Sequence, residues 1–113
     1  MPYIELKTNV TLENNQKEEL IKAFGEKIEL LPGKSEVWLM CAVEDKLSMS
    51  FKGDTSPCAL ATVSLFGKST DTAYENLTAA LCKKLSSLLG VDAKRIYVKY
   101  EEVSHWGFNG TNF

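Results

Sequence analysis

The sequence is poor in the residues that build metal centres, disulfide frameworks and nucleophilic triads. Its only histidine is His105, and its three cysteines, Cys41, Cys58 and Cys82, are 17 and 24 residues apart. That spacing matches no zinc site, and an odd number of cysteines cannot form a closed disulfide set. There is no glycine-rich phosphate loop and no helix with paired metal carboxylates. These absences argue against a metal site, and we interpret each cysteine as a small buried side chain.

Long hydrophobic runs and charge of one sign are also missing. The longest apolar run is the seven residues Val37–Val43, far short of the 18 or more that cross a membrane. Charge enters as early as Glu5, where a secretory signal would be apolar. The 13 Lys and Arg nearly balance the 15 Asp and Glu, without a basic block that would bind phosphates. We therefore expect a cytoplasmic protein with no membrane insertion and no nucleic acid partner.

The first half of the sequence has the pattern of a strand, a helix and a second strand. Residues Tyr3–Thr8 alternate between polar and apolar side chains, and Asn15 with Glu18 forms a plausible helix-capping pair. Apolar residues then recur at helical spacing at Leu20, Phe24, Ile28 and Leu31. Pro32-Gly33 ends that helix, and Val37–Val43 predicts a strand that is covered on both faces.

The second half repeats this plan. Cys58–Phe66 and Ile96–Val103 are predicted strands, and the helix between them ends at Gly90. Its apolar stripe is Leu77, Leu81, Leu85 and Leu88. The tail His105–Phe113 predicts a tight turn or a short hairpin.

Two similar units predict an α+β fold in one domain, residues 1–113. The pseudo-repeats span residues 2–45 and 57–103, with Pro2 and Pro57 at corresponding starts, 55 residues apart. Two consecutive β-α-β units give a four-stranded mixed sheet with both helices on one face. Because Val37–Val43 and Cys58–Val63 place apolar residues on both faces of their strands, we expect an apolar open sheet face and a closed homo-oligomer built sheet to sheet.

Pro2 is the one position with unusual chemistry. Removal of Met1 would leave proline at the chain terminus as a free secondary amine. Such an amine becomes a useful base only when apolar neighbours such as Tyr3, or a cation such as Lys34, lower its pKa. On spacing alone, however, we favour Pro2 as a turn-tolerant first residue, Lys34 as a complement to a helix C-terminus, and Tyr97 as a half-buried strand residue.

Seven short motifs, in order along the whole chain, resemble the macrophage migration inhibitory factor family of the tautomerase superfamily. They are Met1-Pro2, Thr8-Asn9-Val10, Gly33-Lys34, Pro57-Cys58-Ala59-Leu60, Gly67-Lys68, Arg95-Ile96-Tyr97 and Gly107-Phe108-Asn109. The resemblance implies a homotrimer with short terminal strands and with active sites between subunits. It also reverses the interpretation of Pro2, which becomes the catalytic base.

The resemblance further implies a set of substrate-binding positions. Lys34 matches the lysine that holds the substrate carboxylate, the backbone amide of Phe66 helps to bind it, and Tyr97 comes from the adjacent subunit. Aromatic pocket positions fall at Trp38, Trp106, Phe108 and Phe113. The implied reaction is cofactor-independent keto-enol tautomerisation of phenylpyruvate-type α-keto acids or enols and of dopachrome.

An alternative function and three departures accompany this resemblance. The alternative is a secreted cytokine mimic, exported without a leader, that binds a host cell-surface receptor. Cys58-Ala59-Leu60-Ala61 lacks the second cysteine of the family's proposed redox motif, so we reject a thiol exchange role. Lys99 replaces a pocket asparagine and either adds a cation to the site or points to solvent. Residues 11–14 lack the arginine of the cytokine's chemokine-like surface.

Overall fold

The chain folds into six strands and two α-helices. The computed structural model describes residues 1–113. In chain order the elements are β1 (Pro2–Thr8), α1 (Asn14–Lys27), β2 (Met40–Glu44), β3 (Ala59–Phe66), α2 (Asp71–Leu89), β4 (Ile96–Val103), β5 (Gly107–Phe108) and β6 (Thr111–Asn112). Short 3₁₀ helices span Ile28–Leu30, Glu36–Trp38 and Ala93–Arg95. No helix has both the length and the apolar character that a bilayer crossing requires.

The main sheet has the strand order β2-β1-β3-β4. β1 runs parallel to β2, β3 runs parallel to β4, and the two pairs meet where β1 and β3 lie antiparallel. Each parallel pair is connected through one helix, as a parallel pair requires. The duplicated β-α-β units and the mixed sheet are confirmed.

One face of the sheet packs against both helices. The apolar side of β1, Ile4 and Leu6, joins alternate residues of β3 and the buried stripes of the two helices in a single core. The stripe of α2 is confirmed at Leu77, Leu81 and Leu85, although its last buried member is Leu89 rather than Leu88. Gly90 ends α2 with φ +69°, a left-handed conformation that glycine adopts without strain.

The start of α1 lies earlier than the predicted capping pair. Glu13 is the N-cap, and its backbone N–H donates to Gln16 Oε1 at 2.8 Å, so Asn15 and Glu18 lie within the helix. Leu12, directly before the cap, is buried, and its N–H donates to Asp45 Oδ2 at 2.8 Å. The buried leucine and this bond fix where the chain enters the helix.

The prediction of a covered strand over Val37–Val43 is wrong. Glu36–Trp38 is a 3₁₀ helix, and β2 begins only at Met40. Val37, in the 3₁₀ helix, is 81% exposed, and Met40, at the start of the edge strand β2, is 69% exposed. Apolar composition alone does not distinguish an edge strand from a central one.

The open face of the sheet is mixed in polarity, which corrects the expectation of an apolar face. The strand registers place on this face Met40, Ala42 and Glu44 of β2, Tyr3, Glu5 and Lys7 of β1, Leu60, Thr62 and Ser64 of β3, and Tyr97, Lys99 and Glu101 of β4. The apolar partners in the same strands, such as Cys41 and Val43, pack toward the helices instead. Seven of these twelve side chains are charged, Ser or Thr, so this face is not one continuous apolar surface, although Met40 and Tyr97 are exposed on it.

Candidate active site

The N-terminus lies at the start of β1, against the end of β3. Pro2 is buried and pairs with Leu65. The carbonyl oxygen of Met1 accepts a hydrogen bond from the backbone N–H of Phe66 at 3.1 Å. The first two residues are therefore tied to the sheet by the last residues of the neighbouring strand.

Lys34 reaches the same place from the loop that follows α1. Gly33, with φ +82°, reverses the chain there, a conformation suited to glycine. The Lys34 Nζ then donates to the carbonyl oxygen of Phe66 at 3.3 Å. The lysine is thus directed at the chain terminus rather than at the helix end that spacing alone favoured.

The terminal amine lies in surroundings that disfavour its charged form. Burial is the largest cause that lowers the pKa of the Met1 amine, followed by the positive charge of Lys34 and by a hydrogen bond from that lysine. Both an apolar environment and a neighbouring cation destabilise an ammonium ion. This corner of the fold therefore increases the neutral fraction of the terminal amine.

Four aromatic rings form one exposed cluster. Trp38 meets Phe108 edge to face at a centroid distance of 5.3 Å, Phe108 stacks with Phe113 at 6.2 Å, and Phe113 meets Phe66 at 5.8 Å. Trp38, Phe108 and Phe113 are each about half exposed. Phe66, one of the four rings, also makes the backbone hydrogen bonds to Met1 and Lys34.

The predicted C-terminal turn is confirmed as a short hairpin. Two of the four rings, Phe108 and Phe113, belong to this segment. β5 and β6 are joined by Asn109 and Gly110, both with positive φ, as a tight two-residue hairpin turn requires. Trp106 contributes through its backbone, since its carbonyl accepts from the N–H of Phe113 at 3.0 Å. Its own ring is not part of the four-ring cluster.

Tyr97 and Lys99 lie away from Pro2 within the same chain. Pro2 pairs with Leu65, which lies opposite Glu102, whereas Tyr97 lies opposite Leu60. Five residues of extended strand separate these positions, about 16 Å at the rise of a β-strand. Tyr97 is 63% exposed and Lys99 is exposed as well. One chain therefore does not bring its own Tyr97 to its own Pro2.

Sequence reasoning missed two features. The first is the bond between the Phe66 N–H and the Met1 carbonyl, which involves only main-chain atoms and leaves no side-chain signal. The second is Phe51, whose ring meets Tyr97 edge to face at 4.9 Å. The sequence offered one signal for this contact, Arg95, which lies in the same motif as Tyr97 but had no assigned role.

The isolated chain does not enclose a pocket around Pro2. It has four cavities, of which the largest, about 540 Å³, is lined by the loop after β2, and none is lined by Pro2, Lys34 or Phe66. No cluster of three or more His, Cys, Asp or Glu side chains is placed to hold a metal. Within one chain, therefore, no cavity is formed by Pro2, Lys34 and Phe66.

Comparison with known proteins identifies the family. A sequence model described as "Macrophage migration inhibitory factor (MIF)" matches residues 1–113. The chain belongs to the macrophage migration inhibitory factor family. Among curated members, the factor of Xenopus laevis is 26% identical over 115 aligned residues, covering 100% of this chain and 99% of its own. The factor of Rattus norvegicus is 27% identical with the same coverage.

Solved structures of MIF proteins share the fold. The crystal structure of Leishmania major MIF2 is similar with a TM-score of 0.93 and 33% identity, covering 100% of this chain and 97% of that one. A MIF homologue from Prochlorococcus marinus gives a TM-score of 0.88 and 27% identity, covering 98% of each chain. The resemblance stated from the sequence is confirmed, as is the MIF-like fold.

Proposed function

We propose that this MIF-family chain is a cofactor-independent keto-enol tautomerase that uses Pro2, after loss of Met1, as its general base. The observation that carries the proposal is the convergence of Lys34 and the Phe66 backbone on the chain terminus. Family membership supports an isomerase of this superfamily. Phenylpyruvate-type acids and dopachrome are the substrates that we infer for it.

Loss of Met1 would create two functional groups at once. The Phe66 N–H, which now donates to the Met1 carbonyl, becomes free to donate to a ligand. The terminal amine moves to Pro2, one residue closer to the sheet. A backbone N–H donor and a free amine would then face the same small space beside Lys34.

The electrostatics of the corner suit a base. An ordinary terminal amine has a pKa of about 7.7 to 8.0, so it is largely protonated at neutral pH. Burial and the charge of Lys34 lower the pKa of the Met1 amine, and the same two causes would act on the nitrogen of Pro2. A lower pKa leaves more of the amine neutral and able to accept a proton near pH 7.

The substrate is expected to lie between the amine and the aromatic cluster. Its carboxylate would accept from Lys34 Nζ and the freed Phe66 N–H, and its ring would pack on Phe113, Phe108 and Trp38. Neutral Pro2 would remove a proton from the carbon next to the carbonyl. As charge develops on the carbonyl oxygen, hydrogen-bond donors at the site stabilise it, and protonated Pro2 then delivers the proton to that oxygen, which gives the enol; the reverse sequence converts the enol to the keto acid.

A homotrimer would complete this site. Along the sheet, Tyr97 lies about 16 Å and Lys99 about 10 Å from the level of Pro2, so both would reach such a site from a neighbouring copy. Trp38, Met40, Tyr97, Phe108 and Phe113 are large exposed apolar side chains, and such surfaces favour association. The free edges of β2 and β4 offer main-chain groups for the same contacts.

Intact-mass measurement combined with a phenylpyruvate assay on one sample tests the proposal. We expect a mass that lacks one methionine and measurable turnover. Pro2→Gly is expected to lower kcat/KM by about 100-fold or more, the typical contribution of a general base. Pro57→Ala, at the corresponding start of the second unit, is the matched control and should remain active. Near-normal turnover of Pro2→Gly would refute the assignment of the base.

A further inference from the structure

Arg95 clamps the loop that precedes β3. Its Nε donates to the carbonyl of Pro57 at 2.9 Å, and its Nη1 donates to that of Phe51 at 3.2 Å. Its Nη2 donates to the carbonyls of Asp54 and Ser56 at 3.3 and 3.0 Å and lies 2.9 Å from the Asp54 carboxylate. The Arg95 side chain is only 16% exposed. One guanidinium therefore fixes four carbonyls of a single loop.

The clamped loop has one well-defined shape. Phe51 and Asp54 exchange two backbone hydrogen bonds, at 2.9 and 3.1 Å. Lys52 and Gly53 between them both have positive φ, +52° and +79°, as in a type I′ turn. The Asp54 carboxylate also accepts from the N–H of Ser56 at 2.9 Å. The turn and the clamp together define the position of the Phe51 side chain.

Phe51 in turn packs on Tyr97. The two rings meet edge to face, with centroids 4.9 Å apart and an interplanar angle of 76°. The guanidinium carbon of Arg95 lies 5.2 Å from the centroid of Phe51, within the range of a cation–π contact. Arg95, Phe51 and Tyr97 thus form one stack, whose outer member is a largely exposed tyrosine.

We propose that Arg95 and Phe51 are positioning residues that orient the Tyr97 ring which one protomer presents to the active site of its neighbour. This proposal rests on the proposed tautomerase function, because that function is what gives the orientation of Tyr97 a purpose. Tyr97 lies on an edge strand and is exposed within its own chain, so its ring has few other contacts to restrict it. A misplacement of about 1 Å at a reacting site is sufficient to lower a rate about 100-fold.

The chemistry of the clamp requires arginine. Four carbonyls and a carboxylate need several N–H donors in a fixed planar arrangement, which guanidinium has and the lysine ammonium lacks. We therefore expect Arg95→Lys to behave like Arg95→Ala. At position 51 the requirement is for an aromatic ring, so Phe51→Tyr should preserve activity and Phe51→Leu should not.

The test is a double-mutant cycle in kcat/KM on the assembled protein. Arg95→Ala and Phe51→Leu are each expected to lower kcat/KM about tenfold, whereas Lys94→Ala, at the exposed neighbouring position, should have no effect. In a Tyr97→Ala background, neither substitution should cause a further loss. An equal tenfold loss in that background would overturn the proposal, because the clamp would then act independently of Tyr97.

A second readout does not depend on activity. In protein with ¹³C-labelled tyrosine rings, assigned with Tyr97→Phe, the Tyr97 signal should move toward the position of a freely rotating tyrosine in both Arg95→Ala and Phe51→Leu. An unchanged signal in Phe51→Leu overturns the proposal even if Arg95→Ala fails to fold. If the wild type shows no tautomerase activity, the proposed function fails, and the ring signal alone decides whether the clamp positions Tyr97.

Discussion

The two ends of the sheet are built in contrasting ways. The proline end consists of Met1, Pro2, Lys34 and Phe66, and the arginine end consists of Phe51, Asp54, Arg95 and Tyr97. The proline end is held by two hydrogen bonds, at 3.1 and 3.3 Å, beside exposed aromatic rings. The arginine end is fixed by four guanidinium bonds and an ion pair.

This contrast suggests a division of labour between copies of the chain. An open corner with a depressed amine pKa suits proton transfer, because a substrate must enter and leave. A rigid, exposed ring suits presentation to another molecule, because an ordered side chain loses little entropy on binding. Each copy would then carry a reactive half-site at one end and a supporting half-site at the other.

The largest effect is expected when the proline end is disabled and the arginine end is left intact. Protein that retains Met1, prepared in cells that lack methionine aminopeptidase activity, should lose about 100-fold or more in kcat/KM, since its Pro2 nitrogen is an amide and not a base. The Tyr97 ring signal should be unchanged. Comparable turnover of the two forms at equal concentration would contradict the role of the free terminus.

Lys34 tests whether the proline end binds the substrate carboxylate. Loss of a charge-assisted hydrogen bond costs about 1.5 to 3 kcal/mol, so Lys34→Ala should lower kcat/KM about 10- to 100-fold, mainly through a higher KM. Lys27→Ala, at the end of α1, is the matched control. A normal KM for Lys34→Ala would show that the carboxylate binds elsewhere.

The pH dependence of the same variant tests the electrostatic argument. The positive charge of Lys34 lowers the pKa of the terminal amine, so its removal should raise that pKa. Activity requires the neutral amine, so the acid limb of the kcat/KM profile should shift to higher pH in Lys34→Ala. A shift to lower pH, or none, would mean that Lys34 does not influence the base.

Acid should loosen the arginine end specifically. The N–H of Ser56 is the largest cause that holds the pKa of Asp54 below its ordinary value, and Arg95 acts in the same direction. Because the folded pKa is lower, this carboxylate stabilises the loop above its ordinary pKa of about 3.9, and the contribution is lost as the pH falls through the folded value. The Tyr97 ring signal should move below about pH 4 in the wild type but not in Asp54→Asn.

The smallest expected effect concerns Lys99. Its side chain is exposed on the open face, and an exposed ion pair contributes about 0 to 1 kcal/mol. We therefore expect Lys99→Asn to raise the KM by no more than about fivefold, with little change in the pH profile. A loss as large as that of Lys34→Ala would show that Lys99 binds the carboxylate directly.

Much of the fold follows from the sequence because its patterns are local. Alternation located β1, and β4 was predicted at Ile96–Val103, the bounds that it has. The predictions for β2 and for the open face were wrong because apolar composition does not reveal which strand lies at an edge or which face a helix covers. Both depend on the assembled topology.

The candidate site was less accessible from residue patterns. Before the family resemblance was considered, residue patterns favoured purely structural explanations of Pro2, Lys34 and Tyr97. The Phe66 bond to Met1 involves only main-chain atoms, and the Arg95 clamp joins residues 38 to 44 positions apart. Such contacts have no periodic signal, so only the folded chain reveals them.

Mixing two inactive variants tests the shared site most directly. Pro2→Gly copies keep an intact arginine end, and Tyr97→Ala copies keep an intact proline end. If equal amounts are dissociated and reassembled at random, about a quarter of the intersubunit sites should combine two intact halves, and activity should rise to about that fraction of the wild type. Activity that stays at the average of the two separate variants would contradict a site shared between copies.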